Sequence, residues 1–287
     1  NDLLSFSNDS GNVPHKVSEI IEVPEIDDWK NKIQKATRLM SKSEKIVLSR
    51  KKVISFKDKI DIGALISKVP NEAGQYLFLL RPSIDEVFIS VSPEKLFSIN
   101  GQDICVDCIA GTRPRGTNKG KDILLENELI NSRKEINEHL FVSNFVNNQL
   151  KKICSKIKKV KELEILKLRK VQHLYTEYEG ILSPYTSISK IIKLIYPTPA
   201  VAGTPSKRAI VKIHQIEKEN REFYAGACGF LSKNQVELLV GIRSFYLKDN
   251  KIQVYGGAGI VSESDYQKEW QETEYKMKNF SFLWDEN

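Results

Sequence analysis

The spacing of hydrophobic positions changes repeatedly along this chain between the period of a helix and that of a strand. Residues 28–41 put Trp29, Ile33 and Ala36 on one helical face, whereas residues 45–50 alternate as a strand does. The same patterns predict further helices over 121–158, 183–194 and 206–220 and from residue 265 onward, and further strands over 75–80, 86–91, 95–99, 103–109, 168–176, 222–231, 237–248 and 251–255.

The order of these elements predicts one α+β domain over residues 1–287. Short turns between the strands, such as Asn100-Gly101, favour antiparallel pairing. Ser183 and Ser264 are the predicted caps of two helices, the second of which carries a capping-box pattern. Irregular segments are expected over 1–25, 110–116, 196–205 and 256–259, of which 110–116 is a basic glycine loop and 256–259 a glycine turn.

Composition limits the classes of protein to which the chain can belong. The chain contains 40% hydrophobic and 28% charged residues, as expected for a soluble globular protein. No apolar run approaches the roughly 18 residues that cross a bilayer, and the first residues, NDLLSFSNDSGN, show no basic segment followed by an apolar one. The sequence therefore predicts neither a membrane partner nor a secretory signal.

Neither the charge nor the cysteines identify a binding partner. The net charge of +7 comes mostly from lysine, and the basic run 151–170 raises nucleic-acid binding as an alternative. Because Ile153 and Ile157 interrupt that run, a surface helix with outward lysines explains it, and no nucleic-acid partner is predicted. Cys105 and Cys108 have no second pair to complete a zinc site, and on a strand they would face opposite sides, so free thiols in a reducing compartment are expected.

Two predicted helices each carry a pair of glutamates three residues apart. Glu135 and Glu138 lie beside apolar positions, and Glu269 and Glu272 follow the predicted glycine turn. One such pair is ordinarily part of a solvated helix face, but two inward-facing pairs need a compensating cation. Converging carboxylates suit a hard divalent ion such as Mg²⁺, so the sequence predicts a magnesium site that holds an anionic ligand beside exposed glycine amides.

Ten sequence blocks, in one order from residue 45 to the C-terminal end, resemble those of the chorismate-utilising enzymes. This family includes isochorismate synthase, salicylate synthase, the large subunit of anthranilate synthase and aminodeoxychorismate synthase. One block would be weak, but ten in order are specific. The blocks are KIVLSR (45–50), SPEKLF (92–97), IAGTRPRG (109–116), EINEHLFV (135–142), RKVQHLYT (169–176), PTPAVAGTP (197–205), YAGACGFLS (224–232), GIRS (241–244), GGAGIVSESD (256–265) and EWQETEYK (269–276).

The resemblance implies a fold, a substrate and a cofactor. The fold would be the chorismate-binding α+β fold, similar to aminodeoxychorismate synthase, with large antiparallel sheets packed as a sandwich and helices outside. Chorismate would be the substrate. Glu138 and Glu272 would bind Mg²⁺ directly, and Glu135 and Glu269 would bind its water molecules, so that the ion holds the ring carboxylate.

The resemblance also assigns the remaining contacts to chorismate. His173 would contact the leaving hydroxyl, although a structural histidine on a strand is an equal alternative. The other matched positions are Arg243, Tyr224, Gly257, Gly259 and Lys276 at the enolpyruvyl carboxylate, and Gly111 and Thr112 at the ring.

Two positions bear on the reaction that the resemblance implies. Lys45 stands where anthranilate synthases typically have glutamine, and Ala110 stands where aminodeoxychorismate synthases carry a nucleophilic lysine. Lys45 would thus be the general base for water attack at C2, and Glu94 the general acid for the C4 hydroxyl. Without the resemblance, a snorkelling lysine and a turn glutamate would be the ordinary interpretations.

These positions predict a magnesium-dependent isochorismate synthase, with the core motifs over 45–276. A salicylate synthase, which also eliminates pyruvate, and a catalytically impaired chorismate-binding protein are the alternatives. Tyr196 replaces the histidine that family members commonly have before the Pro-Thr-Pro segment. Relatives carry a substantial part ahead of Lys45, so a fragment or a shortened form is expected. A cytoplasmic monomer is expected, or a plastid stromal one if a transit peptide has been removed, and the product would serve menaquinone, siderophore or salicylate synthesis.

Overall fold

The computed structural model describes residues 16–42, 44–70 and 74–284. Within them the helices are α1 (Ile26–Leu39), α2 (Ile62–Ser67), α3 (Lys119–Ile130), α4 (Arg133–Leu150), α5 (Ile188–Ile195), α6 (Ser206–Ile216) and α7 (Tyr266–Met277), followed by a 3₁₀ turn over Lys278–Leu283. The strands are β1 (Val17–Val23), β2 (Lys45–Phe56), β3 (Tyr76–Ser83), β4 (Glu86–Ser92), β5 (Lys95–Asn100), β6 (Asp103–Pro114), β7 (Cys154–Lys167), β8 (Val171–Leu182), β9 (Gly203–Thr204), β10 (Ala227–Leu231), β11 (Gln235–Val240), β12 (Ser244–Lys248) and β13 (Lys251–Ile260). In this part of the chain, no helix combines the length and the apolar character that a membrane span requires.

The strands form two sheets. The first has the order β1-β2-β13-β12-β4-β3, with the short β9 paired to β2, and the second has the order β10-β11-β5-β6-β8-β7. The neighbouring strands in both sheets run antiparallel. The prediction of an α+β chain built on large antiparallel sheets is therefore confirmed.

A shared core joins the two sheets. Phe88 and Tyr255 of the first sheet belong to the same buried cluster as Val106 of the second, together with Val142 of α4 and Ile191 of α5. The opposite face of the first sheet packs on α1, α6 and part of α7 through a separate cluster. Apolar side chains on both faces of β2 and β13 thus hold these two strands in the interior, where they can position a site.

The glycine turn predicted over 256–259 is wrong, because β13 continues through it to Ile260. Gly257 pairs with Ser49 of β2, and Gly259 pairs with Val47. A Cβ on Gly256 would lie 3.0 Å from the carbonyl oxygen of Thr273 in α7. The missing side chains therefore let a helix and a site approach the strand closely, instead of turning the chain.

The basic loop predicted over 110–116 is also largely strand, since β6 extends to Pro114. Gly111, at φ +80°, lies where the pairing of β6 with β8 shifts register between Ala110 and Thr112. This bulge bends the strand at the point where it enters the site.

The surface helix predicted within 151–170 is wrong as well. That run forms β7, an edge strand of the second sheet whose lysines alternate with partly buried apolar residues. Charged side chains on an edge strand discourage pairing with other chains. The apolar residues that interrupt the run fit a strand as well as they fit a helix, and tertiary pairing with β8 decides between them.

Other boundaries differ from the predictions for local reasons. The segment 237–248 is two strands, β11 and β12, which belong to different sheets. Helix α5 is capped by Ser187, not Ser183, and α7 is capped by Asp265, which accepts bonds from the first-turn amides, while Ser264 accepts from Val261 N. Strand β1 forms within the predicted irregular segment 1–25, and residues 1–15 of it lie outside the described part. The four cysteines are free, as predicted.

Candidate active site

A cavity of about 60 Å³ gathers most of the predicted site residues. Ten of them line it: Glu94, Gly111, Thr112, Glu138, His173, Tyr224, Arg243, Gly257, Gly259 and Lys276. A wider groove of about 660 Å³, lined by strands of the second sheet, contains none of them. We place the site in the smaller cavity because buried titratable side chains cluster there, as they do in active sites.

Lys45, at the start of β2, lies just behind the lining of this cavity. Its side chain is fully buried, and its Nζ lies 3.0 Å from Glu138 Oε1. Gly259 on the neighbouring β13 lies against both groups, and a Cβ there would overlap the Glu138 carboxylate and the Lys45 side chain. A glycine is therefore required at 259 for the lysine and the glutamate to meet.

Glu94 follows β4 and is buried. The charges of Lys45 and Lys276 act on its carboxyl group. Burial, and next the carboxylate of Asp107, raise the pKa of Glu94 to about 8, while the two lysines oppose the rise. Its Oε1 has no hydrogen-bond partner among the described residues. A carboxylic acid that keeps its proton at neutral pH is suited to donate it to a leaving group.

His173, Thr112 and Arg243 form a connected polar group. His173 Nε2 lies 3.0 Å from Arg243 Nη2, and His173 Nδ1 lies 3.1 Å from both Thr112 Oγ1 and the carbonyl oxygen of Gly111. Burial, and then the charge of Arg243, hold the pKa of His173 well below its usual range, so the ring is neutral. Burial also lowers the pKa of Arg243 to about 10, and its Nη1 has no hydrogen-bond partner in the described part.

Tyr224 and Lys276 lie on either side of Gly257. The Tyr224 ring stacks on Tyr255 with 5.2 Å between centroids, and its hydroxyl lies against Gly257. Lys276 Nζ donates to the carbonyl oxygen of Gly257 at 2.8 Å and to Glu272 Oε1 at 2.6 Å. Burial lowers the pKa of Lys276, but the charge and hydrogen bond of Glu272 and the charge of Glu138 together outweigh it. The pKa is therefore raised, which keeps an ammonium at this end of the cavity.

The two acid pairs meet where α4 approaches α7. Lys134 Nζ bridges them, at 2.6 Å from Glu269 Oε1 and 3.9 Å from Glu135 Oε1. Glu135 also accepts from Arg113 Nη1 at 2.9 Å and from the amide of Thr112 at 3.2 Å. The structure therefore brings together all four glutamates that the sequence predicted as an inward-facing set.

The donor set fits a hard divalent cation in type. Oε2 of Glu138 and Oε2 of Glu269 are buried and lack hydrogen-bond partners among the described residues, and buried carboxylate oxygens require such partners or a cation. Burial, and next the Glu272 charge, raise the pKa of Glu269 to about 7. In the described part, no three acidic, histidine or cysteine side chains form a ligand group for a metal ion.

Sequence reasoning missed several residues that organise this site. Arg113 and Lys134 neutralise the acid pairs, Asp107 acts on Glu94, and His139 is fully buried with its Nε2 2.7 Å from Thr176 Oγ1. Arg113, Lys134 and His139 lie within or beside the matched blocks, and that proximity was the available signal. Charge and spacing alone do not separate them from surface residues.

This chain is similar in sequence to several known proteins. The profile of the family described as chorismate binding enzyme matches residues 2–282. The isochorismate synthase MenF of Bacillus subtilis (strain 168) is 31% identical over 256 residues, which are 88% of this chain and 54% of the relative. The chloroplastic isochorismate synthase 2 of Arabidopsis thaliana is 36% identical over 239 residues, which are 83% of this chain and 42% of the relative. Anthranilate synthase component 1 proteins also match.

A solved structure leads to the same family. The menaquinone-specific isochorismate synthase of Escherichia coli has a TM-score of 0.85 and 27% identity, over 94% of this chain and 63% of that one. The chain spans about half the length of the curated relatives it matches. The match over nearly all of its residues, together with the shared fold, means that this chain belongs to the chorismate binding enzyme family.

Proposed function

We propose that this chain converts chorismate to isochorismate and depends on Mg²⁺. The observation that carries the proposal is a buried lysine, Lys45, that contacts Glu138 in the wall of the cavity, together with Glu94, a buried glutamate with a raised pKa in the same wall. One residue is suited to take a proton and the other to give one. The similarity to isochorismate synthases supports the same reaction.

The proposed reaction moves a hydroxyl group around the ring. The oxygen of a water molecule attacks C2 of chorismate, and Lys45 takes the proton that this water releases. The two conjugated double bonds of the ring shift, the bond from C4 to its hydroxyl breaks, and Glu94 gives a proton so that the hydroxyl leaves as water. Lys45 must begin neutral and Glu94 protonated, and both return to those states by exchange with solvent before the next turnover.

The proposal assigns separate positions to the two carboxylates of chorismate. Arg243 Nη1, which lacks a hydrogen-bond partner among the described residues, would bind the enolpyruvyl carboxylate together with Tyr224 and the ammonium of Lys276. Glu138 and Glu272 would hold Mg²⁺ directly, with Glu135 and Glu269 behind its water molecules. When bound, the ion would supply a positive charge for the ring carboxylate.

The proposal also covers the cellular compartment, the oligomeric state and the fit of the substrate to the cavity. Four free cysteines fit a reducing compartment such as the cytoplasm or a plastid stroma, and the chain is proposed to act as a monomer. The cavity of about 60 Å³ is smaller than the roughly 300 Å³ of common ligand sites, so the lining side chains must rearrange when chorismate binds.

The test is to incubate the purified chain with chorismate and to identify the product by chromatography, with Mg²⁺ and with EDTA. Isochorismate that forms only with Mg²⁺ supports the proposal. Release of pyruvate with salicylate would instead indicate the salicylate synthase alternative. Binding of chorismate without any product would indicate the catalytically impaired alternative.

Two variants of strand β2 make the test specific. Lys45→Gln is expected to abolish product formation, because glutamine cannot accept the proton of water. Lys51→Gln removes a half-buried lysine of the same strand that bonds Gln253 outside the cavity, and it is expected to stay active. Full activity of Lys45→Gln would contradict the mechanism.

A further inference from the structure

Every glutamate of the acid cluster, which comprises Glu135, Glu138, Glu269 and Glu272, faces a basic side chain. The pairs are Glu135–Arg113 at 2.9 Å, Glu138–Lys45 at 3.0 Å, Glu269–Lys134 at 2.6 Å and Glu272–Lys276 at 2.6 Å. Buried carboxylates are costly without such partners. Without a bound ion or substrate, the four basic groups therefore supply the positive charge that keeps the acid cluster stable inside the protein.

Lys134 differs from the other three bases in what it contacts. Lys45 and Lys276 act at the substrate cavity, and Arg113 also donates to the carbonyl oxygen of Thr112 at 2.9 Å. Among the described residues, the ammonium of Lys134 contacts only carboxylates, those of Glu269 and Glu135. It has no role in the proposed reaction, and yet it joins the two helices that carry the acid cluster.

This inference rests on the divalent-cation site of the proposed function. We propose that Lys134 is an internal counter-ion, which competes with the divalent cation for Glu269 and must leave that carboxylate when the ion binds. An ion held by the acid cluster would lie within a few ångströms of the ammonium, and like charges at that distance repel strongly in a buried site. The unbonded oxygens of Glu138 and Glu269 give the ion its first contacts.

The position of Lys134 allows this exchange. It lies in the first turn of α4, and its side chain is 26% exposed, whereas Glu269 is fully buried. The ammonium can therefore move to water while the helix and the carboxylate stay in place.

The exchange also favours one kind of cation. A monovalent ion would bring no more charge than the ammonium that it displaces. A divalent ion brings twice the charge, so charge alone, apart from ionic size, makes the acid cluster selective for divalent ions.

The experiment measures Mg²⁺ binding by calorimetry and Mn²⁺ binding by electron paramagnetic resonance, on the full chain without chorismate. Lys134→Met is expected to bind both ions about tenfold more tightly, within the range typical of coupling between two ligands of one protein. In EDTA, the same variant is expected to melt at a lower temperature than the wild type, because Glu269 loses its partner. Lys134→Arg, which keeps the charge, should stay close to the wild type in both measurements.

Arg133→Met is the matched control. It removes one positive charge from the exposed neighbouring position of the same helix, so it should change neither the affinity nor the melting temperature in EDTA. If Lys134→Met does not fold, Lys134→Gln is measured in its place, with tighter binding again expected.

The outcomes separate this inference from the proposed function. A wild type that binds Mn²⁺, beside a Lys134→Met variant that binds it equally or less tightly, would overturn the inference and leave the metal site standing. Absence of divalent binding in the wild type and in every variant would reject the metal site, and the inference with it. If Arg133→Met gains as much affinity, the effect comes from net charge and not from the contact between Lys134 and Glu269, and the inference is overturned.

Discussion

Arg243 donates a hydrogen bond from Nη2 to His173 Nε2 across 3.0 Å, and this contact decides how the histidine is protonated. Arginine has no acceptor atom, so Nε2 must accept, and the ring proton must lie on Nδ1. Nδ1 then donates to the carbonyl oxygen of Gly111 at the bulge of β6. His173, which the family resemblance assigns to the leaving hydroxyl, therefore also holds Arg243, the residue proposed to bind a carboxylate of the substrate.

Replacement of His173 should weaken chorismate binding. In His173→Phe, Arg243 Nη2 loses its acceptor in a buried position, at a cost of about 1–3 kcal/mol, and the guanidinium is free to turn away. We expect KM for chorismate to rise about tenfold or more, with a smaller fall in kcat, measured by steady-state kinetics. His173→Gln, which keeps an acceptor, should recover most of the loss. A fall in kcat alone would instead favour direct contact with the leaving hydroxyl.

The buried Glu94 makes stability depend on pH. Its folded pKa of about 8 lies above the ordinary value of 4.5, so between these values the folded state binds more protons than the unfolded state, and stability falls as pH rises. Glu94→Gln removes that loss, and its free energy of unfolding should exceed that of the wild type by up to about 5 kcal/mol at pH 8.5. Urea unfolding of both proteins measures the difference, which should be much smaller near pH 4.5.

Glu128→Gln serves as a control for that measurement, because it makes the same substitution at an exposed position of α3. A gap between Glu94→Gln and the wild type that stays constant from pH 5 to pH 8.5 would contradict a raised pKa at Glu94.

Asp107 should set the alkaline limit of activity. Its carboxylate is the second cause of the raised pKa of Glu94, after burial, and it accepts bonds from the Tyr175 hydroxyl at 3.0 Å and the Lys95 amide at 3.3 Å. The wild type should lose kcat/KM above about pH 8 as Glu94 ionises. Asp107→Asn removes the charge and keeps an acceptor oxygen. In a pH–rate profile, this variant should therefore lose kcat/KM at a lower pH than the wild type. If kcat/KM falls at the same pH in both proteins, burial alone sustains the raised pKa of Glu94.

A side chain at Gly259 should disable the site without unfolding the sheet. In Gly259→Ala the added Cβ overlaps Glu138 and Lys45, which must separate. We expect activity to fall by at least about a hundredfold, as for loss of an acid–base group, and Mn²⁺ binding to weaken as well. Gly120→Ala in α3 is the control, because the added Cβ would lie at an ordinary 3.6 Å from its nearest neighbour, Asn118 Oδ1. Wild-type activity in Gly259→Ala would show that contact between Lys45 and Glu138 is not needed.

The errors in the predicted elements share one cause. The glycine-rich segment 256–259 is predicted as a turn because glycine is common in turns, yet β13 continues through it where β2 supplies hydrogen bonds and α7 approaches closely. The segment 237–248 had the pattern of one strand, although its two halves enter different sheets. Local spacing shows which residues share a face, and it does not show which neighbour an element will meet.

The sequence by itself determined the α+β class, the order of the family blocks and the glutamates that share a helix face, because these depend on residue type and short spacing. Only the tertiary structure decided that Lys45 faces Glu138, that Arg243 binds His173 and that Lys134 joins Glu269. Each of these contacts joins elements far apart in the chain. Strand register and packing between the two sheets set which side chains meet, and short-range periodicity does not encode them.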